Sequence, residues 1–165
     1  MAVDVSPATH AEAAVIANLF QLYAHDFSEF TDVPIGADGR FSYPPLPLYW
    51  QQAHRFPFLI RANGELAGFA LVQRQSQLTG ADDVWDMAEF FVLRAWRRRN
   101  VGAEAANALW RRCTGPWEVR VGVRNLPAQG FWRRAVHACT GNLVDYTPAD
   151  VNGKRWLVLS FCSQP

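Results

Sequence analysis

The chain has one lysine among its sixteen basic residues, and only three cysteines, Cys113, Cys139 and Cys162, none of them in a C-x-x-C pair. An odd, widely spaced set without that pair indicates neither a disulfide framework nor a zinc site, so all three are expected as reduced, buried thiols. The four histidines, His10, His25, His54 and His137, fall in no H-E-x-x-H or other ligand spacing, and no metal is expected. No apolar run approaches the length of a membrane span, and the opening stretch lacks the basic and apolar regions of a signal peptide, so a cytoplasmic protein is expected. Neither G-x-x-x-x-G-K-[ST] nor G-x-G-x-x-G occurs, which disfavours P-loop and Rossmann readings. Internal repeats and low-complexity tracts are also missing.

What the 165 residues do contain is a half-apolar composition, enough for one domain spanning 1–165 with a sizeable core. Net charge is only +1, too small for a strongly basic nucleic-acid binder, yet it is unevenly spread. Residues 1–90 hold 11 acids and 4 bases, while residues 91–165 hold 4 acids and 12 bases. That polarity suggests an anionic ligand held by the second half.

Hydrophobic periodicity maps the elements. Ala14, Ile16, Leu19, Phe20, Leu22, Tyr23 and Phe27 recur at helical spacing after a Thr9 cap, predicting a first helix. Residues 31–48, rich in Pro and Gly, read as a loop, and a short helix is expected around "LYWQQAH". "FPFLIRANGELAGFALVQRQ" reads as a hairpin turning at Asn63-Gly64, followed by a strand in "VWDMAEFFVL" whose last apolar run suggests burial on both faces. Then come a helix in "NVGAEAANALWRRC", a strand in "WEVRVGV", a helix in "PAQGFWRRAVHAC", and a hairpin of "NLVDYT" with "KRWLVLSFC" around Asn152-Gly153. The order α-(α)-β-β-β-α-β-α-β-β belongs to the α/β (α+β) class.

Chemistry concentrates at "VLRAWRRRNVGAEAA". A strand there runs through a basic turn into a helix, whose first amides lack intrahelical partners and carry the positive end of the macrodipole. Such a junction can cradle a phosphate or pyrophosphate. Gly102 lets a ligand approach the backbone, and Asn100 tolerates a left-handed conformation or serves as a cap.

This segment resembles the acetyl-CoA-binding motif of the GNAT N-acetyltransferase superfamily, Gln/Arg-x-x-Gly-x-Gly/Ala after a strand ending in Val. Arg97 takes the first place, Gly102 the last, and Asn100 departs from the usual first Gly. Downstream, "VRNLPAQGFWRRA" resembles the second motif of that family, with Asn125, Ala128, Phe131 and Trp132 falling on it. The likeness covers about residues 58–162, and other segments resemble an uncharacterised group of small bacterial predicted acetyltransferases.

The resemblance implies a mixed, mostly antiparallel sheet flanked by helices, with splayed fourth and fifth strands. It implies acetyl-CoA as cosubstrate, held by main-chain groups of Phe91 and Val92, by Arg97, Arg98, Arg99, Asn100, Val101, Gly102 and Ala103, and by Asn125, Phe131 and Trp132. The implied reaction is direct attack by a primary amine, from a small molecule or a protein, in a monomer or homodimer. An alternative within the same fold is a sensor that binds acyl-CoA without transfer. An RNA-binding reading that uses Arg97 to Arg99 with Arg133 and Arg134 lacks an RNP-type aromatic motif, and neither nucleic acid nor membrane is expected as a partner.

An alkylamine must lose a proton before attack. Asp86 and Glu89 are candidate bases on the fourth strand; a spacing of three places them on opposite faces unless a bulge intervenes, with Asp86 sharing a face with Phe90 and Val92 and ranking slightly higher. Arg120 stands where one branch of the family has a glutamate base. Trp132 replaces the family's tyrosine acid, and an indole N–H is not a practical proton donor; Tyr146 or solvent is the substitute considered. The acceptor is expected between the first helix, the 31–48 loop and the last hairpin. Tyr43, Tyr49, Trp50 and Trp85 are candidate walls there, and Asp26, Glu29 or Asp32 candidate attractors for a cationic amine.

Overall fold

The computed structural model describes residues Met1–Pro165. Its centre is a seven-stranded sheet in the order β1-β2-β3-β4-β5-β7-β6, formed by β1 (Val3–Pro7), β2 (Arg55–Ala62), β3 (Glu65–Gln73), β4 (Trp85–Val92), β5 (Gly115–Gly122), β6 (Thr147–Val151) and β7 (Lys154–Ser163). Every neighbouring pair is antiparallel except β4 and β5, which run parallel. Three helices cover the sheet: α1 (Ala13–Phe27), α2 (Val101–Arg112) and α3 (Leu126–Thr140). This is the mixed, mostly antiparallel architecture expected. No helix is long and apolar enough to cross a membrane.

The hairpins turn where the sequence places them, but the first arm of the last one is Thr147–Val151 and not the expected "NLVDYT", because pairing with β7 begins only at Thr147. Asn63-Gly64 and Asn152-Gly153 both have positive φ at each residue, as a type I′ turn demands. Strand β1 is an addition to the expected order: five residues that end in proline are a short run with a weak strand signal, and only pairing with β2 makes a strand of them. The segment expected as a short helix forms a 3-10 turn at Leu46–Trp50, because prolines at 44, 45 and 47 limit helical hydrogen bonding. Of the three thiols expected to be buried, only Cys113 is; Cys139 is half-buried and Cys162 exposed.

The two faces of the sheet bury different stripes. Ile16, Leu19, Phe20 and Ala24 of α1 pack on Leu59, Phe69, Leu71 and Phe91. On the other face, Leu109 and Trp110 of α2 and Trp132 and Val136 of α3 pack on Val72, Met87, Val119 and Leu159. Between them β4 and β5 pair only at Trp85↔Trp117 and Asp86↔Glu118. The indoles of Trp85 and Trp117 stack at 5.9 Å and close that end. Beyond it the strands part, and the opening between Met87–Val92 and Val119–Gly122 connects one face of the sheet to the other.

Candidate functional site

Strand β4 carries one residue too many for its partner. Leu71 pairs with Glu89 while Val72 pairs with Met87, leaving Ala88 as a bulge. A bulge shifts the alternation by one, so Asp86 and Glu89 share a face with Phe91, under α1, whereas Phe90 and Val92 turn to the opposite face. The regular-strand expectation, which grouped Asp86 with Phe90 and Val92, is corrected by that single residue.

The two acids have different surroundings. Asp86 is 0% exposed, accepts from Arg120 Nε and Nη2 at 3.0 Å each, and accepts from Gln73 Nε2 at 3.1 Å. With three donors already on its oxygens it serves to orient Arg120, and the ranking of Asp86 above Glu89 as a base is reversed. Glu89 accepts one hydrogen bond, from the Tyr23 hydroxyl at 2.6 Å. Burial pushes its carboxyl up to about 7; the Tyr23 and Tyr43 hydroxyls and the Arg120 guanidinium oppose this rise, and the Asp86 charge adds to it. A carboxyl near neutrality beside a cavity can exchange protons at working pH.

Glu89 borders a cavity of about 370 Å³ walled by α1, the segment from Thr31 to Tyr43, β5 and the start of β7. Phe20, Tyr23, Phe27, Tyr43 and Trp156 give it aromatic sides, and Arg120, Asp32 and Lys154 give it charge. Of the expected walls only Tyr43 lies here. Trp85 is spent on Trp117, Tyr49 is the buried residue of the 3-10 turn, and the Trp50 indole donates to the Ala8 carbonyl at 3.0 Å.

A second cavity, about 960 Å³, lies between β4, α2 and α3 and is lined by Phe90, Val92, Arg98, Gly102, Asn125 and Phe131 among others. Tyr23, Phe27, Phe90, Asn125, Ala128 and Trp132 line both, so the two meet through the opening between β4 and β5.

The turn into α2 heads this larger space. Arg98 has φ 59° and Asn100 φ 65°, two left-handed residues that curl the chain ahead of Val101. The Arg97 amide bonds to Arg94, and the next main-chain amide to find a protein partner is that of Glu104. The six amides from Arg98 to Ala103 therefore stay unpaired at the positive end of a twelve-residue helix, a cradle suited to an anion such as a diphosphate. Gly102 keeps the helix close to α3: a Cβ there would sit 3.2 Å from the Phe131 ring.

The arginine side chains divide their roles. Arg97 donates to the Val92 carbonyl at 2.8 Å and to Asp26 at 2.5 Å, and Arg94 shares the same carboxylate. Asp26 therefore locks the turn to α1 and is not free to attract an amine. Arg98 and Arg134 line the larger cavity, whereas Arg99 lies over the Trp96 ring at 5.6 Å and Val101 is fully buried. Those last two can reach a ligand through their amides alone.

Main-chain direction follows from one bond. The Leu93 amide donates to Ala67 on β3, so alternation aims the amides of Val92 and Phe90 into the opening and that of Phe91 at β3. The Phe91 amide, expected to face a ligand, faces β3 instead, and the Phe90 amide faces the opening. Asn125 caps α3, its Oδ1 accepting from the Ala128 amide at 3.1 Å, which leaves its amide nitrogen at the junction of the cavities. Trp132 is 6% exposed and stands edge-on to Phe90 at 5.0 Å. Tyr146 lines neither cavity and donates to the Gln129 carbonyl at 2.7 Å, so it is not placed to act as an acid there. Tyr23, which the helical stripe marked only as core, is the hydroxyl at the junction; nothing in one sequence separates it from the packing residues beside it.

The Acetyltransferase (GNAT) family model matches residues 16–137. No curated protein matches the chain in sequence. Among solved structures, an acetyltransferase from Thermus thermophilus superposes with TM-score 0.68 at 13% identity, covering 98% of this chain and 97% of its own. The aminoglycoside acetyltransferase AAC(6')-Ib, solved in complex with coenzyme A, gives 0.70 at 13% identity over 98% and 95%. RimJ of Mycobacterium smegmatis, solved with CoA-disulfide, gives 0.63 at 18% identity over 97% and 81%.

Proposed function

The chain belongs to the acetyltransferase (GNAT) family, and from that premise we propose that residues 1–165 form one catalytic domain moving an acetyl group from acetyl-CoA to a primary amine by direct attack, with Glu89 as base. The observation that carries this reading is the meeting of two cavities where β4 and β5 part: one is headed by six unpaired amides and the other holds a carboxyl near neutrality. Two of the structural neighbours were solved with coenzyme A or its disulfide, in keeping with the same ligand here.

The residues present fit coenzyme A. The amides of Arg98 to Ala103 bind the diphosphate, and Arg98 and Arg134 add charge-assisted contacts to phosphate oxygens. The main-chain amides of Val92 and Phe90, with the Asn125 side-chain amide, orient the pantetheine arm, while Phe131 and Trp132 exclude water from its flank. Acetyl-CoA, when bound, supplies a thioester carbon open to attack and a thiolate as leaving group.

An alkylamine is protonated at neutral pH, with a pKa of about 10.5, so the base must remove one proton before attack. The Glu89 carboxylate takes that proton on Oε, directly or through water, and Tyr23, donating to Glu89 at 2.6 Å, holds the carboxylate towards the opening. The proton held on Glu89 returns to the leaving thiolate through the Tyr23 hydroxyl, which burial keeps well above its ordinary pKa so that it relays and does not itself ionise, and the second proton, shed by the nitrogen as the amide forms, passes to water. The acceptor occupies the smaller cavity.

Titration calorimetry with coenzyme A, paired with thiol release from acetyl-CoA over an amine panel, tests the proposal. Micromolar binding and amine-dependent release are expected. Absence of any coenzyme A affinity refutes it, and tight binding without turnover on any amine supports the sensor alternative.

A further inference from the structure

The smaller cavity gathers its two cationic side chains, Arg120 and Lys154, on one wall, and this bears on its ligand. Arg120 uses Nε and one Nη on Asp86; its remaining N–H groups have no protein partner and border the cavity with the side chain 15% exposed. Lys154, the only lysine, forms no ion pair with any carboxylate. Its ammonium lies 5.3 Å from the Trp156 ring and 5.9 Å from the Phe27 ring, on the cavity wall. The Arg120 guanidinium sits over the same indole at 5.5 Å. Two cations thus gather on one wall around Trp156, and only Arg120 has a protein anion.

The acids that a polycationic acceptor would need are occupied or elsewhere. Asp26 is shared by Arg94 and Arg97, and Glu29 borders the larger cavity. That leaves exposed Asp32 at the rim and Glu89, which the reaction uses. Like charges on a wall repel a second cation as they attract an anion. The aromatic sides want an apolar body, and about 370 Å³ suits a small molecule.

We propose, resting on the acetyl-transfer reading above, that the acceptor is a small zwitterionic amine: an amino acid with an apolar or aromatic side chain, its amine towards Glu89 and its carboxylate held between Arg120 and Lys154. Arg120, fixed by Asp86, is the rigid donor of the pair, and Lys154, beside the Asn152-Gly153 turn, closes over the ligand from the hairpin tip.

Matched acceptors separate the charge from the body. Thiol release is measured with phenylalanine, phenylalaninamide, phenethylamine and spermidine, for the wild type and for Lys154→Ala and Lys154→Glu. Loss of one charge-assisted contact corresponds to roughly tenfold. Phenylalanine is therefore expected to exceed the amide and phenethylamine by about tenfold or more in kcat/KM, Lys154→Ala to remove most of that preference, and Lys154→Glu to invert it, with coenzyme A affinity unchanged in both. Equal turnover of the uncharged amines or spermidine, or a preference untouched in both variants, overturns the proposal. A second arm needs no turnover: binding of N-acetylated amino acids, from glycine to tryptophan, and of their amides to the protein loaded with coenzyme A. Equal affinity of acids and amides, or no binding across the series, also overturns it. A carboxylate preference in binding without thiol release from any amine sinks acetyl transfer and leaves the anion site standing.

Discussion

Replacing Glu89 with glutamine changes one atom in the site and makes two signatures that move in opposite directions. The carboxyl is raised from 4.5 to about 7, chiefly by burial. In the wild type, acetyl transfer therefore rises with pH along a limb of unit slope centred near 7. Glu89→Gln should lose about 100-fold or more in kcat together with that limb, while coenzyme A binding stays within about twofold because the amide cradle is untouched. Stability moves the other way. A carboxyl whose folded pKa lies above its unfolded value binds more protons in the native state, so its contribution is fully present below the unfolded pKa and is lost as pH rises through the folded one. A shift from 4.5 to about 7 corresponds to about 3 kcal/mol by linkage. Because the side chain is only half-buried and borders a cavity, screening reduces this to on the order of 2 kcal/mol. Wild-type stability should therefore fall between pH 4.5 and 7 relative to the variant, and Glu89→Gln should be the more stable protein at pH 8. Urea unfolding of both proteins from pH 4 to pH 8, beside initial-rate profiles over the same range, checks the pair. Should the two proteins unfold in parallel at every pH, or should the variant keep its activity, the assignment of Glu89 as a raised carboxyl and base is refuted.

Tyr23→Phe removes the hydroxyl that holds down the Glu89 pKa, so the acidic limb of the rate profile should move up by about one unit, with KM for acetyl-CoA little changed; an unmoved limb would disconnect the two residues. Gly68→Ala places a Cβ 2.0 Å from the Phe91 carbonyl oxygen, a backbone atom that cannot turn aside. The variant should unfold at markedly lower denaturant, by about 2 kcal/mol or more, and a wild-type midpoint would show that β3 and β4 can part without cost. Asn100 stands at φ 65°, where a β-branched residue is strained by about 1–2 kcal/mol. Asn100→Val should therefore weaken coenzyme A binding about tenfold, whereas Asn100→Gly leaves it nearly unchanged, as calorimetry would read directly.

The amide cradle before α2 was legible because its information is local. A strand that ends in Val, a basic turn, an Asn able to take positive φ and a Gly at the helix head lie within about a dozen consecutive residues, and an α-helix leaves its first amides unpaired whatever surrounds it. The chemical end was not legible, because it depends on register. One extra residue at Ala88 decides that Asp86 and Glu89 share a face; no composition or spacing announces a bulge, since it arises from what the neighbouring strand can pair with. The roles then separate through contacts made across long stretches of chain: Arg120 reaches Asp86 from β5, and Tyr23 reaches Glu89 from α1. Asp26 was misread for the same reason, since its partners Arg94 and Arg97 lie some seventy residues away.

By itself the sequence determined the order of strands and helices from Arg55 onward, the hairpins at Asn63-Gly64 and Asn152-Gly153, and the amide cradle before α2, all of them set by periodicity and backbone preference over a few residues. Only the tertiary structure decided that Val3–Pro7 is a strand, that β4 and β5 part beyond Asp86 and Glu118, and which carboxylate is clamped and which is left near neutrality. The physical reason is that solvation and ion pairing are properties of a place in the fold: two acids three residues apart have the same chemistry on paper, and burial beside different partners makes one an anchor for Arg120 and leaves the other a carboxyl raised to about 7.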